Sequence, residues 1–167
     1  MSSLSEQEIL KLRELLEIEE IKRTRLLYTH LMDAKRLDDL ANIFTEDAVC
    51  EFGPFGSWSG RDVIRKNYHA VEKDLDNFYA MHGTCDHLVE LTSPDTARGR
   101  AYLFEPVTEK SADENPFIYL GVYDDEYQKV NGRWLIARCT LQFLWPNRHT
   151  SNDFPGDFPS QLGWCST

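Results

Sequence analysis

The stretch "FIYLGVYDDEYQKV" (117–130), the turn "NGR" (131–133) and "WLIARCTLQFLW" (134–145) decide how this chain folds. Two long runs rich in β-branched and aromatic residues flank an Asn-Gly pair. That pair is the strongest short-range hairpin signal, because the tight turn joining two strands needs residues that tolerate positive φ. Working backwards, "ARGRAYLFEPVTE" (97–109) and "YAMHGTCDHLVELT" (79–92) have the same character. They are set off by the polar turns "SPDT" and "KSADENP". Everything after Tyr79 therefore reads as sheet, with about four long antiparallel strands.

The first half of the chain reads differently. From Ser5 to about Arg36 there is neither Gly nor Pro, and the Leu, Glu, Lys and Arg content favours helix. Ser5 followed by Glu8 gives a capping-box start. Some thirty residues is long for a globular helix, so a break near Glu17–Glu20 is expected. Leu37 to Phe44 reads as a short second helix, with Asp38 and Asp39 near its positive end. "AVCEF" (48–52) reads as a strand and "GPFGSWSG" (53–60) as a loop. In "RDVIRKNYHAVEKDL" (61–75), Val63, Ile64, Tyr68, Val71 and Leu75 recur at three- and four-residue spacing, the mark of an amphipathic helix. Helices first and strands afterwards predict an α+β fold. Its twisted sheet would curl around a concave face, which the helices cover only in part. A blind cavity there is the natural place for a small molecule. Residues 1–146 are read as one domain, and 147–167 as a tail packed on it or capping the pocket.

Composition narrows the partners. The 167 residues carry a formal charge of -10, and no basic run exceeds Lys35-Arg36. Nucleic acid and anionic membrane surfaces, which bind through positive patches, are not expected partners. No run approaches the ~20 apolar residues of a membrane span. Cysteines at 50, 85, 139 and 165 show no CxxC spacing, so they read as free thiols in a reducing compartment, and the expected location is cytoplasmic.

Several residues are candidates for chemistry. Asp33 lies near Leu26 and Leu37 on a helix wheel, so it is either a solvated acid or a carboxylate retained among leucines for a task. His82, in "AMHGTCDHL", is by default a core or surface histidine. An acid reaching one ring nitrogen would make the other a better base, and Asp33 would serve if the long helix crosses the concave face. On an unbroken strand, His82 and His87, five apart, point to opposite faces, and no other histidine spacing suits a metal; no metal and no cofactor are expected. Glu105 is a strand acid directly before Pro106, which removes a ladder donor and predicts a bulge or an edge. Tyr28 is either a proton donor or a core tyrosine. Phe52, Phe55 and Trp58 suit a pocket rim or a core equally well.

Taken together, "IEEIKRTRLLYTHLMDAKRLDDLANIFTEDAVCEF", "GSWSGRDVIRKNY", "MHGTCDHLVEL" and "GVYDDEYQKVNGRWLIAR" resemble the SnoaL-like branch of the NTF2-like superfamily, from about Ile18 to Trp145. The resemblance implies a cone-shaped barrel in which N-terminal helices pack on a strongly curved, mainly antiparallel sheet around an apolar pocket. It is similar to three lyases of that superfamily: scytalone dehydratase, bile acid 7α-dehydratase and hexachlorocyclohexane dehydrochlorinase. By that likeness Asp33 and His82 stand at the places of a shared acid–histidine dyad. Tyr28 matches a catalytic tyrosine, and Glu105 an acid ending a strand. His30, Phe52, Trp58, Tyr119 and Gln142 are placed around the substrate pocket. The bile acid enzyme's arginine would fall near Gln142-Phe143, where this chain has none, so a substrate carboxylate is not implied.

The function expected from residues and resemblance is a cofactor-independent lyase, dehydratase-like, of elimination or retro-aldol type, in which the His82–Asp33 dyad abstracts a carbon-bound proton from a small, largely apolar aromatic or alicyclic substrate. The alternatives are a non-catalytic small-molecule-binding or assembly module, or an isomerase or polyketide cyclase using the same pocket. The sheet's outer face would make a homodimer or homotrimer.

Overall fold

A computed structural model describes residues 4–74, 79–108 and 117–145. The "KSADENP" turn, the 147–167 tail, Leu75 and Cys165 lie outside them. Helix α1 spans Glu6–Asp33 without interruption; the expected break at Glu17–Glu20 is absent. Ser5 caps it through the predicted box, its hydroxyl accepting from the Glu8 N–H while the Glu8 carboxylate accepts from the Ser5 N–H at 2.7 Å. Continuity at residue 17 has a visible cause: the Glu17 carboxylate accepts from Lys129 Nζ at 2.6 Å and from Trp134 Nε1 at 2.6 Å, which ties the middle of the helix to the sheet.

The other end of α1 is closed by a Schellman motif. Arg36 N–H donates to Leu31 O at 2.9 Å and Lys35 N–H to Met32 O at 3.0 Å. Lys35 takes the left-handed conformation (φ 57°) that glycine usually fills. α2 is only Leu37–Ala41, shorter than expected, because Phe44 already begins strand β1 (Phe44–Glu51). A 3₁₀ turn at Gly53–Phe55, strand β2 (Ser57–Ser59) and helix α3 (Arg61–Asp74) follow, the last as read from its periodicity. Strands β3 (Tyr79–Ala80), β4 (Gly83–Ser93), β5 (Thr96–Thr108), β6 (Phe117–Val130) and β7 (Arg133–Trp145) complete the chain.

These strands form one seven-stranded sheet in the order β2-β1-β7-β6-β5, with β3 and β4 both along the far edge of β5. The predicted hairpin is the β6–β7 turn, with Asn131 (φ 51°) and Gly132 (φ 76°) both left-handed. The sheet is mixed, since β1 runs parallel to β7. Register shifts at Leu120/Gly121, Glu126/Tyr127 and Cys85/Leu88 bend it as bulges do. The core lies between the sheet and the three helices, around Ile21, Leu40, Phe44, Ile64, Leu103, Tyr123 and Ile136. It also holds Arg25, fully buried, whose Nη1 donates to Asp125 Oδ2 at 3.1 Å. The guanidinium lies between the rings of Tyr28 (4.1 Å) and Tyr123 (3.6 Å), an arrangement that offsets part of its desolvation. No described helix is long and apolar enough to cross a membrane.

Candidate functional site

The segment expected to be one strand is two. β3 ends at Ala80 and β4 begins at Gly83, so Met81 and His82 sit in a gap. Opposite the gap stand Glu105 and Pro106, flanked by the pairs Ala80↔Val107 and Gly83↔Phe104. The proline is the reason the gap costs little. It has no N–H to offer the edge, and its carbonyl accepts from Met81 N–H at 3.2 Å. The bulge or edge expected beside Glu105 is therefore realised on the β3–β4 side, while pairing with β6 continues unbroken through Pro106↔Ile118. Because the strand is broken at Met81 and His82, the alternation expected to turn His82 and His87 to opposite faces does not apply.

Freed from the ladder, His82 turns toward α1. Its Nδ1–H donates to Asp33 Oδ1 at 2.6 Å, and its backbone N–H donates to the same carboxylate at 3.2 Å. On its other side, Nε2 lies 3.2 Å from Glu105 Oε1. The imidazole is held between two carboxyl groups. Its side chain and that of Glu105 are each 9% exposed, against 29% for Asp33. Burial pushes the Glu105 carboxyl above its ordinary range; the facing imidazole lowers it and the Asp33 charge raises it, and the net direction is upward. Asp33 is the last residue of α1, where the helix dipole disfavours an acid. A local rule broken at such a place is a familiar sign of a functional position.

Beyond His82 and Glu105 opens an apolar cavity of about 160 Å³. Phe52, Trp58, Tyr68 and Tyr119 are among its walls, together with Leu141 and Phe143. Tyr28 lines it too, and the hydroxyls of Tyr28 and Tyr68 are 2.9 Å apart. Burial pushes both phenols well above their ordinary pKa, so both keep their protons at any physiological pH. The five-residue offset between Tyr28 and Asp33 is accommodated because Tyr28 forms the wall while Asp33 lies behind His82 at the helix end.

Two expected pocket residues are not there. His30 is exposed on the outer side of α1, because it lies about 200° around the helix from Tyr28. Gln142 is also exposed: strand alternation turns its neighbours Leu141 and Phe143 inward and Gln142 outward. Tyr68 was read only as a core position of α3, and its hydroxyl role had no sequence signal, since it depends on the packing of α3 against α1. His87, mostly buried against Tyr127, is pushed down to about 4, chiefly by burial and then by the charge of Arg25; it is a core histidine and not part of the pocket. Among the described residues no group of three His, Cys, Asp or Glu side chains is arranged to hold a metal. Cys50 and Cys139 are buried thiols and Cys85 an exposed one. A larger hollow of about 350 Å³, between α1 and the β6–β7 turn, contains none of the candidate residues.

Comparison with known proteins agrees with this architecture. An uncharacterised protein of Mycobacterium tuberculosis is 26% identical over 139 residues, covering 83% of this chain and 92% of that protein. An NTF2-like protein with a cystatin-like fold from Novosphingobium aromaticivorans superposes with a TM-score of 0.74 at 19% identity, over 88% of this chain and 94% of that one. A putative scytalone dehydratase from the same organism gives 0.69 at 23% identity, over 78% and 85%. A type 2 hexachlorocyclohexane dehydrochlorinase gives 0.71 at 18%, over 80% and 88%. The model of the SnoaL-like domain matches residues 13–140. With that match over most of its length and an NTF2-like α+β fold, the chain belongs to the SnoaL-like domain family.

Proposed function

We propose that the protein is a cofactor-independent lyase of the dehydratase type, in which His82 removes a proton from carbon. The observation that carries this reading is the line Asp33–His82–Glu105 at the edge of an apolar cavity. Asp33 fixes the Nδ1–H tautomer and leaves Nε2 unprotonated beside Glu105 at the edge of the cavity. Glu105, whose carboxyl burial pushes upward, is assigned as the acid. Similarity in fold to a putative scytalone dehydratase and a dehydrochlorinase supports the reaction class.

The steps balance within the site. Nε2 takes the proton from carbon, the electron pair forms the double bond, and the hydroxyl departs with the Glu105 proton as water. The imidazolium then faces the Glu105 carboxylate at 3.2 Å and returns the proton, restoring both groups. Since base and acid stand side by side, proton and hydroxyl leave from one face of the substrate. In the Tyr28–Tyr68 pair one hydroxyl donates to the other, and the second would donate to a carbonyl oxygen whose charge grows as the carbon loses its proton. The cavity is smaller than the ~300–1,000 Å³ of drug-sized sites, which suits a compound of about one ring.

The test is product analysis by mass spectrometry on a panel of one-ring aromatic and alicyclic β-hydroxy ketones. Loss of water with wild type, and its loss in His82→Ala, is expected. Turnover to a cyclised or isomerised product of unchanged mass would favour a cyclase or isomerase on the same pocket. Ligand binding without turnover across the panel would favour a binding module.

A further inference from the structure

The outer face of α1 carries a pattern that the pocket does not use. Ile9, Leu12, Leu16, Glu19, Arg23 and Leu26 follow one another at spacings of three, four, three, four and three residues. They form one stripe about 180° from the buried stripe of Ile21, Arg25 and Tyr28. Ile9, Leu12, Leu16 and Leu26 are 38, 46, 67 and 50% exposed. Every residue from Leu4 to Leu16 is exposed, so the first eleven residues of the helix extend beyond their own domain. A helical arm of that length is marginal alone in water.

We propose that this face pairs with the same face of a second copy of the chain, as an antiparallel two-helix seam. Charge and spacing select the occupant and the register together. With the helices antiparallel and crossing at Ile21, Leu16 of one copy lies opposite Leu26 of the other, and Glu19 opposite Arg23. Two-fold symmetry makes each pair twice. A parallel pairing would set Glu19 on Glu19 and Arg23 on Arg23. An antiparallel shift of one heptad would set Leu16 on Glu19 and Leu12 on Arg23. Of these three, the first matches leucine with leucine and acid with base at its centre, and further out it sets Leu12 opposite His30 and Ile9 opposite Asp33. The two domains lie on the outer sides of the seam, because each helix packs on its own core through the opposite face, where Glu17 is tied to Lys129 and Trp134.

Sedimentation velocity on the full chain tests this. Wild type is expected to sediment as a dimer and Leu16→Glu/Leu26→Glu as a monomer with an unchanged circular dichroism spectrum. Glu19→Arg and Arg23→Glu should each weaken the dimer by about tenfold or more, and the double exchange E19R/R23E should restore it. The exchange also covers the case in which the glutamate variant fails to fold. A monomeric wild type overturns the proposal. So does an oligomer indifferent to these substitutions, which would put the interface on another face such as the sheet, or a double exchange no better than either single change.

Discussion

His82 Nε2 and Glu105 Oε1 stand 3.2 Å apart, across the gap between β3 and β4, with Asp33 on the opposite side of the ring. Three acid–base groups stand in a row, and the ring and one acid border an apolar cavity. The pH behaviour of the site follows from which group holds which proton.

Glu105 carries the clearest pH signature. Its carboxyl is raised in the folded protein, so the folded state binds a proton more tightly than the unfolded chain. The stability contributed by that proton is complete below the unfolded pKa of about 4.3 and is lost as pH rises through the folded value. Urea denaturation across this window should show Glu105→Gln gaining on wild type as pH rises. A constant difference between the two would mean that Glu105 titrates normally. The same variant should lose elimination activity by about 10²-fold or more, because the amide has no proton to give.

The Tyr28–Tyr68 hydroxyl pair separates packing from chemistry. Tyr28→Phe and Tyr68→Phe keep the rings that pack against Phe44 and Trp58. Each should cost about 1 kcal/mol of stability, the scale of one hydrogen bond. If the pair supports a developing oxyanion, kcat should fall by about 10²-fold with KM little changed. An effect on KM alone would assign the hydroxyls to binding.

Buried beneath Tyr28 is the Arg25–Asp125 pair. Asp125→Ala leaves the guanidinium without its counter-ion among Tyr28, Tyr123 and Cys139 and should destabilise the protein by about 3–5 kcal/mol. Arg25→Met with Asp125→Leu removes both charges and should cost much less than either single change, as thermal denaturation of the three variants would show.

How much of this the sequence disclosed depends on the range of the interactions. The β6–β7 hairpin was legible because Asn131-Gly132 encodes its own turn, and the start of α1 because Ser5 and Glu8 lie three residues apart. The long uninterrupted α1 was not, since Glu17 is steadied by Lys129 and Trp134, more than a hundred residues away. The parallel pairing of β1 with β7 is equally non-local. Within the site, the resemblance pairs Asp33 with His82, while Glu105 reads only as an acid ending a strand. What brings them together is the gap opposite Pro106, and a strand pattern read on its own has no way to show where its neighbour is interrupted. His30 and Gln142 were misplaced for a simpler reason: nearness in sequence to pocket residues is not nearness in space when helix and strand alternate faces.

The central claim, that His82 takes a proton from carbon, is tested most directly by proton exchange. One-ring alicyclic and aromatic ketones are incubated in D₂O with wild type, Asp33→Asn and His82→Ala, and incorporation of deuterium next to the carbonyl is followed by NMR. The account predicts exchange with wild type, slowed by about 10²–10⁴-fold in His82→Ala and strongly reduced in Asp33→Asn, with both variants still folded. Exchange at an undiminished rate in His82→Ala would contradict it.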